Sequence, residues 1–134
     1  MVRALRLFVV AGGIMLVLDA VWLTLAIDRL YRPLLGHLMR PDGFDVGAAA
    51  AFYLLYLAGV VVLVLLVARD WREAAWRGAV YGLCAYGTYD LTNQATLRDW
   101  PWLVTVVDLG WGAGLTAVVA GGAFAWAGRR RGIG

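Results

Sequence analysis

The chain has 134 residues, of which 63% are apolar and only 16% charged. Soluble domains are nearer half apolar and a quarter charged, so a water-soluble globule is excluded, and the length leaves room for one compact unit and no second domain. The net charge of +3 comes from twelve basic residues. All are arginines standing at the ends of apolar runs, with no continuous patch, which excludes a nucleic-acid partner. The single Cys84 lies within an apolar run and excludes an intrachain disulfide and any cysteine-based metal cluster.

Four segments are long enough to cross a hydrocarbon core, which takes about 20 helical residues: 5–27, 46–68, 74–97 and 102–127. Arg3 and Arg6 before the first, with Thr24-Leu25-Ala26 near its end, imitate a signal peptide; the length of the segment, and Asp19 and Trp22 inside it, argue for a retained helix. The first connection carries apolar pairs every four residues, Leu30/Tyr31, Leu34/Leu35 and Leu38/Met39, with Arg32, Gly36, His37 and Arg40 between them. This pattern predicts a short amphipathic helix over residues 30–40 lying on the outer interface, with Pro33 near its start. Pro41-Asp42-Gly43 reads as a turn into the second helix. Arg69–Glu73 is a tight hairpin, and the third connection ends in Trp100-Pro101-Trp102, whose indoles suit the membrane interface. Short connections make the second, third and fourth helices antiparallel neighbours.

The N-terminus (Arg3, Arg6), the second connection (Arg69, Arg72, Arg77) and the tail (Arg129, Arg130, Arg131) hold eight arginines; the first and third connections (Arg29, Arg32, Arg40, Arg98) hold four. The positive-inside rule then places both termini in the cytoplasm of a multi-pass protein of the bacterial inner membrane.

The apolar helices carry a polar layer. Asp19, Asp90 and Asp108 stand on the first, third and fourth helices, and at 1.5 Å per residue each lies roughly 9–14 Å from the outer helix ends. Tyr53 and Tyr56 bring the second helix into the same layer. At 100° per residue Tyr86, Tyr89, Asp90, Asn93 and Thr96 share a face of the third helix; Gly12, Met15, Asp19, Trp22 and Ala26 share one on the first, and Thr105, Asp108, Trp111 and Gly112 one on the fourth. The first and fourth helices repeat the spacing Asp19-x-x-Trp22 and Asp108-x-x-Trp111 in opposite directions. That spacing predicts reciprocal pairing: the Trp111 indole donates to Asp19 and the Trp22 indole to Asp108. No basic residue falls in the layer, so its carboxyls must be protonated, hydrated, held by Tyr, Trp and Asn donors, or neutralised by a bound cation.

The competing reading of the layer is a polar clasp that fixes helix packing, since interhelical hydrogen bonds in membranes contribute about 0.6–2 kcal/mol each. His37 is an interfacial residue or, on the sharper reading, a lid over the acidic layer; no spacing supports a metal site. The tyrosines are interfacial anchors or pocket lining. Gly78-x-x-x-Gly82 and Gly110-x-x-x-Gly114, the latter continued by Ala117 and Gly121, suit close helix packing, with a homodimer through the second stripe as the lesser reading. The motifs of metalloproteases, serine hydrolases and phosphate loops are absent.

The string YGTYDLTNQATLRDWP at 86–101, with LGHL at 35–38, LDAVWL at 18–23 and VDLGWG at 107–112, resembles the small bacterial four-helix inner-membrane proteins of domain-of-unknown-function family 2177. The resemblance covers nearly the whole chain. By resemblance the matching positions are Asp19, Trp22, Gly36, His37, Tyr53, Tyr86, Gly87, Thr88, Tyr89, Asp90, Thr92, Asn93, Thr96, Trp100, Pro101, Asp108 and Trp111; it implies the architecture and no activity.

The expected fold is all-α, an integral membrane four-helix bundle in one domain over residues 1–134, with a short interfacial helix between the first and second helices. The leading function is binding, with or without movement, of a small polar or cationic solute or protons in an outward-facing pocket of Asp19, Trp22, Tyr53, Tyr56, Tyr86, Tyr89, Asp90, Asn93, Asp108 and Trp111, with His37 as lid. The cofactor is unknown; the partners are the bilayer, a small ligand, and a second copy or another membrane protein. A continuous polar path is lacking, because 7–16, 60–67 and 115–124 are almost wholly apolar. The alternatives are a membrane enzyme or accessory acting on a lipid or quinone-like substrate, with Asp90 and Tyr89 in acid–base roles, and a structural subunit of a membrane complex.

Overall fold

The computed structural model describes residues 1–128, so Arg129–Arg131, which carry part of the orientation argument, lie outside it. The described residues form four helices and no strand: Val2–Leu35, Val46–Leu65, Trp71–Thr96 and Trp102–Gly128. The first, second and fourth are long and apolar enough to cross a membrane. The third, with 26 residues, is long enough, but Arg72, Glu73, Arg77 and Asp90 make it too polar to stand in lipid by composition alone.

The first helix runs eight residues past its expected end. A widened π turn, Ile27–Tyr31, joins the span to the short piece Arg32–Leu35. Pro33 has no N–H, and in a regular helix its ring would meet a carbonyl of the preceding turn; a π turn at that place absorbs the misfit. The expected amphipathic piece therefore continues the first helix and does not lie apart on the interface. Its apolar face is spent inside the bundle, where Tyr31, Leu34 and Leu35 pack on Trp100 and Val104. Leu38 and Met39 are left exposed in the turn that follows.

Asp45 caps the second helix by accepting the Ala48 N–H at 2.9 Å, after a turn in which Gly43 takes a φ of +98° that only glycine adopts freely. The third helix starts earlier than expected because Asp70 caps it, accepting the N–H groups of Arg72 and Glu73 at 2.8 and 2.9 Å. Glu73 accepts the Arg69 N–H and the Arg77 Nε–H, both at 2.9 Å. These donors and the two guanidinium charges hold its carboxyl below the usual range. Asp99, at φ +61°, closes the third connection in the left-handed region that Asp tolerates better than most residues.

The third and fourth helices pack closest. A Cβ on Gly78 would meet the Thr116 carbonyl and Ala120, and one on Gly82 would meet the Gly112 carbonyl and the Thr116 hydroxyl. Close approach of this kind lets dispersion hold helices together where no hydrophobic effect separates protein from lipid. The stripe used on the fourth helix is Gly112, Thr116 and Ala120, two residues out of phase with the expected one. Gly110 and Gly114 face open space; Gly121, at the far end, does meet Ala75. The apolar core fills the Arg72 end of the bundle, with Leu7, Ala11 and Met15 against Val60, Val64 and Leu65 and against Leu115 and Val119.

Two predictions follow from this packing. Gly82→Ala lowers stability by roughly 1–3 kcal/mol, because backbone cannot retreat from the added methyl, whereas Gly114→Ala is neutral or slightly stabilising; unfolding in detergent measures both. Glu73 has a lowered folded-state pKa, so its contribution is complete above the unfolded value and is lost as pH falls through the folded one. The stability difference between wild type and Glu73→Gln therefore shrinks on acidification.

Candidate functional site: an aspartate–aromatic layer

Asp19 is 6% exposed, Asp108 6% and Asp90 0%. Each reaches the interior because its helix turns its narrow buried seam that way: Leu7, Ala11, Met15 and Asp19 on the first helix, and Ala74, Gly78, Gly82 and Asp90, all at multiples of four, on the third. The three carboxyls are met by their surroundings in three different ways.

Asp19 is fully supplied with donors. The Tyr53 hydroxyl donates to its Oδ2 at 2.8 Å and the Trp111 indole to its Oδ1 at 3.2 Å. Asp108 receives the Tyr31 hydroxyl at 2.5 Å, and Tyr31 in turn accepts the Trp22 indole at 3.2 Å. The expected reciprocal pairing is thus direct on one side and relayed through Tyr31 on the other. Trp22 and Trp111 stack face to face, with centroids 4.6 Å apart and planes at 11°, so the two halves share one aromatic hinge. Asp90 is different. Neither of its buried oxygens accepts a hydrogen bond from any described group, and the carboxyl that acts on it is that of Asp108 across the helix contact.

The remaining expected residues divide. Tyr86 packs edge-on against Tyr56, beside Gly112. Tyr56 is buried but bonds Thr116 at 2.7 Å and no aspartate, and the Thr116 hydroxyl donates a hydrogen bond to the Gly112 carbonyl at 2.7 Å. Tyr89 is 57% exposed and stands edge-on to Trp100, and Asn93 is half-buried beside it. The third helix buries a seam narrower than the expected face, so Tyr89 falls on its rim. Thr88, Thr92 and Thr96 bond carbonyls of their own helix on its exposed side. His37 is exposed in the turn after the first helix, while Leu35, Trp100 and Val104 lie one turn beyond Asp108.

Two groups carry more than their sequence context suggested. Tyr31 read as one member of an apolar pair, and only the π turn aims it at Asp108. Gln94 joins the third and fourth helices by donating to the Trp100 carbonyl at 2.8 Å and accepting the Thr105 hydroxyl at 2.9 Å, while the Trp100 indole donates to Thr105 at 3.1 Å. A glutamine near a helix end carries no mark of such a role. No group of three or more His, Cys, Asp or Glu side chains converges among the described residues.

The donors on Asp19 are testable. Trp111→Phe and Tyr53→Phe each cost roughly 0.5–1.5 kcal/mol. The double variant costs more than the sum, because Asp19 then has no donor left; a double-mutant cycle by unfolding in detergent reads the excess.

Residues 4–125 match the model of a family described as "Predicted membrane protein (DUF2177)". No curated protein and no solved structure matches the chain. The match takes in all four helices, all three aspartates and the Trp22–Trp111 stack, and the chain belongs to this family of predicted membrane proteins.

Proposed function

We propose that the layer is a binding site for a small cationic or polar solute, or for protons, opening toward the end of the bundle that carries the first and third connections. The whole chain acts as one transmembrane unit, with all four helices crossing, in the bacterial inner membrane. The distribution of its arginines, including those beyond the described residues, supports a cytoplasmic position for both termini.

One observation carries this reading. Asp90 is wholly buried, and among the described residues neither of its oxygens has a donor. A group of this kind costs on the order of 1–3 kcal/mol when left unsatisfied. If the layer served packing alone, asparagine at this position would do better, because its amide would donate to Asp108. Retaining a carboxyl where an amide would be more stable is the pattern of a site that gives up stability for function. The apolar core at the Arg72 end supports a one-sided site over a continuous path through the bundle.

The test compares the thermal stability of wild type and Asp90→Asn in detergent across pH, metal ions and small organic cations. The wild type gains about 3 kcal/mol from its ligand at a hundredfold excess over Kd. Asp90→Asn keeps or raises basal stability and loses that gain. If no condition stabilises the wild type in an Asp90-dependent way, the layer is a packing clasp.

A further inference from the structure

The two ends of the layer differ in what they lack. Asp19 has a donor on each of its two oxygens. Asp108 has one, Tyr31, and Asp90 has none. Asp90 and Asp108 continue the register of the seam between the third and fourth helices, in which Gly78 stands against Ala120, Gly82 against Thr116 and Tyr86 against Gly112; four residues on along each helix, the next pair is Asp90 and Asp108. Two carboxyls that meet without an intervening donor hydrogen-bond only if one of them carries a proton, since two carboxylates are both acceptors and repel. The titratable groups that face the pair are Tyr31 from the first helix and Tyr86 and Tyr89 from the third, with Asp19, Tyr53 and Tyr56 beyond them; among the described residues no basic side chain pairs with either carboxyl. Asp90 is also fully enclosed. A solute would have to force the helices apart to reach it, whereas a proton needs no added volume.

We propose that Asp90 and Asp108 hold one exchangeable proton between them, and that Tyr31 passes it to and from the Trp100 end of the bundle. This rests on reading the layer as a binding site and narrows its ligand to the proton. The phenol oxygen of Tyr31 has two lone pairs and one hydrogen. The hydrogen points to Asp108, one lone pair accepts the Trp22 indole, and the other is left for water. In the loading step the Tyr31 O–H bond breaks as a new O–H bond forms on Asp108, and the phenol oxygen takes a replacement proton from hydronium at the outer side. Tyr31 is regenerated, and Asp108 shares its proton with Asp90. The π turn Ile27–Tyr31 and the following Pro33 hold Tyr31 at this point, and the Trp22–Trp111 stack ties it to the donor-saturated Asp19.

Infrared spectroscopy of the purified protein in lipid nanodiscs tests this. The wild type shows a protonated-carboxyl stretch at neutral pH that shifts when the protein is made with isotope-labelled aspartate, an assignment that needs no mutation. The band is lost in Asp90→Asn and in Asp108→Asn, with folding checked by circular dichroism. In Tyr31→Phe the band remains, and its hydrogen–deuterium exchange slows about tenfold or more, the scale of a positioned proton donor. Absence of an aspartate band at neutral pH, or its survival in both aspartate variants, overturns the shared proton. Unchanged or faster exchange in Tyr31→Phe overturns the route. A band without any solute-dependent stabilisation supports the proton pair and removes solute binding. Solute-dependent stabilisation without a band overturns the pair and leaves the broader binding site standing.

Discussion

A carboxyl group buried among helices in a hydrocarbon interior must find a proton, a donor, a water or a counter-charge, because lipid supplies none of them. This chain buries three, and no ion pair among the described residues involves any of them. Much of the bundle's Trp100 half answers to that demand. The second helix brings Tyr53 to Asp19, the fourth brings Trp111 to the same group, and the first bends through a π turn to bring Tyr31 to Asp108. The indole of Trp22, stacked on Trp111, closes the set. What is left over is Asp90, whose buried oxygens accept no hydrogen bond among the described residues.

The same contact that makes Asp90 awkward holds the fold together. Gly78 and Gly82 let the third helix sit directly on the backbone of the fourth, and Asp90 lies on the continuation of that seam. The third helix is the polar one of the four, so this seam is what shelters it. Gln94, Thr105 and Trp100 then lock the two helices again beyond the carboxyl layer. Asp90 is thus held between two rigid contacts, one of glycine against backbone and one of side-chain hydrogen bonds.

Much of this was legible in order along the chain. Mean hydropathy and length marked the helices, and the residue count from helix ends put Asp19, Asp90, Asp108 and Tyr53 in one layer. The shared Asp-x-x-Trp spacing in antiparallel helices pointed to the Trp111–Asp19 bond, because helical rise and direction alone set which residues stand level. Pro41-Asp42-Gly43 was available as a turn from local chemistry that owes nothing to the rest of the fold.

Tertiary structure decided what depended on rotation and on neighbours. Hydrophobic periodicity over residues 30–40 correctly marked an apolar face, but a face suits a membrane surface and a bundle equally, and only Trp100 and Val104 being present to receive it made the segment part of the first helix. That choice turned Tyr31 from an apolar companion of Leu30 into the donor on Asp108. Small-residue spacing identified the packing helices but picked Gly110–Gly114 on the fourth; the stripe in use, Gly112–Thr116, lies half a turn away and is selected by what the third helix presents. Tyr89 and Asp90 are neighbours in sequence, yet one lies on the rim and the other in full burial, because the seam between helices is narrower than the arc that polarity alone marks out. Depth along a helix is a property of the sequence; azimuth belongs to the partner.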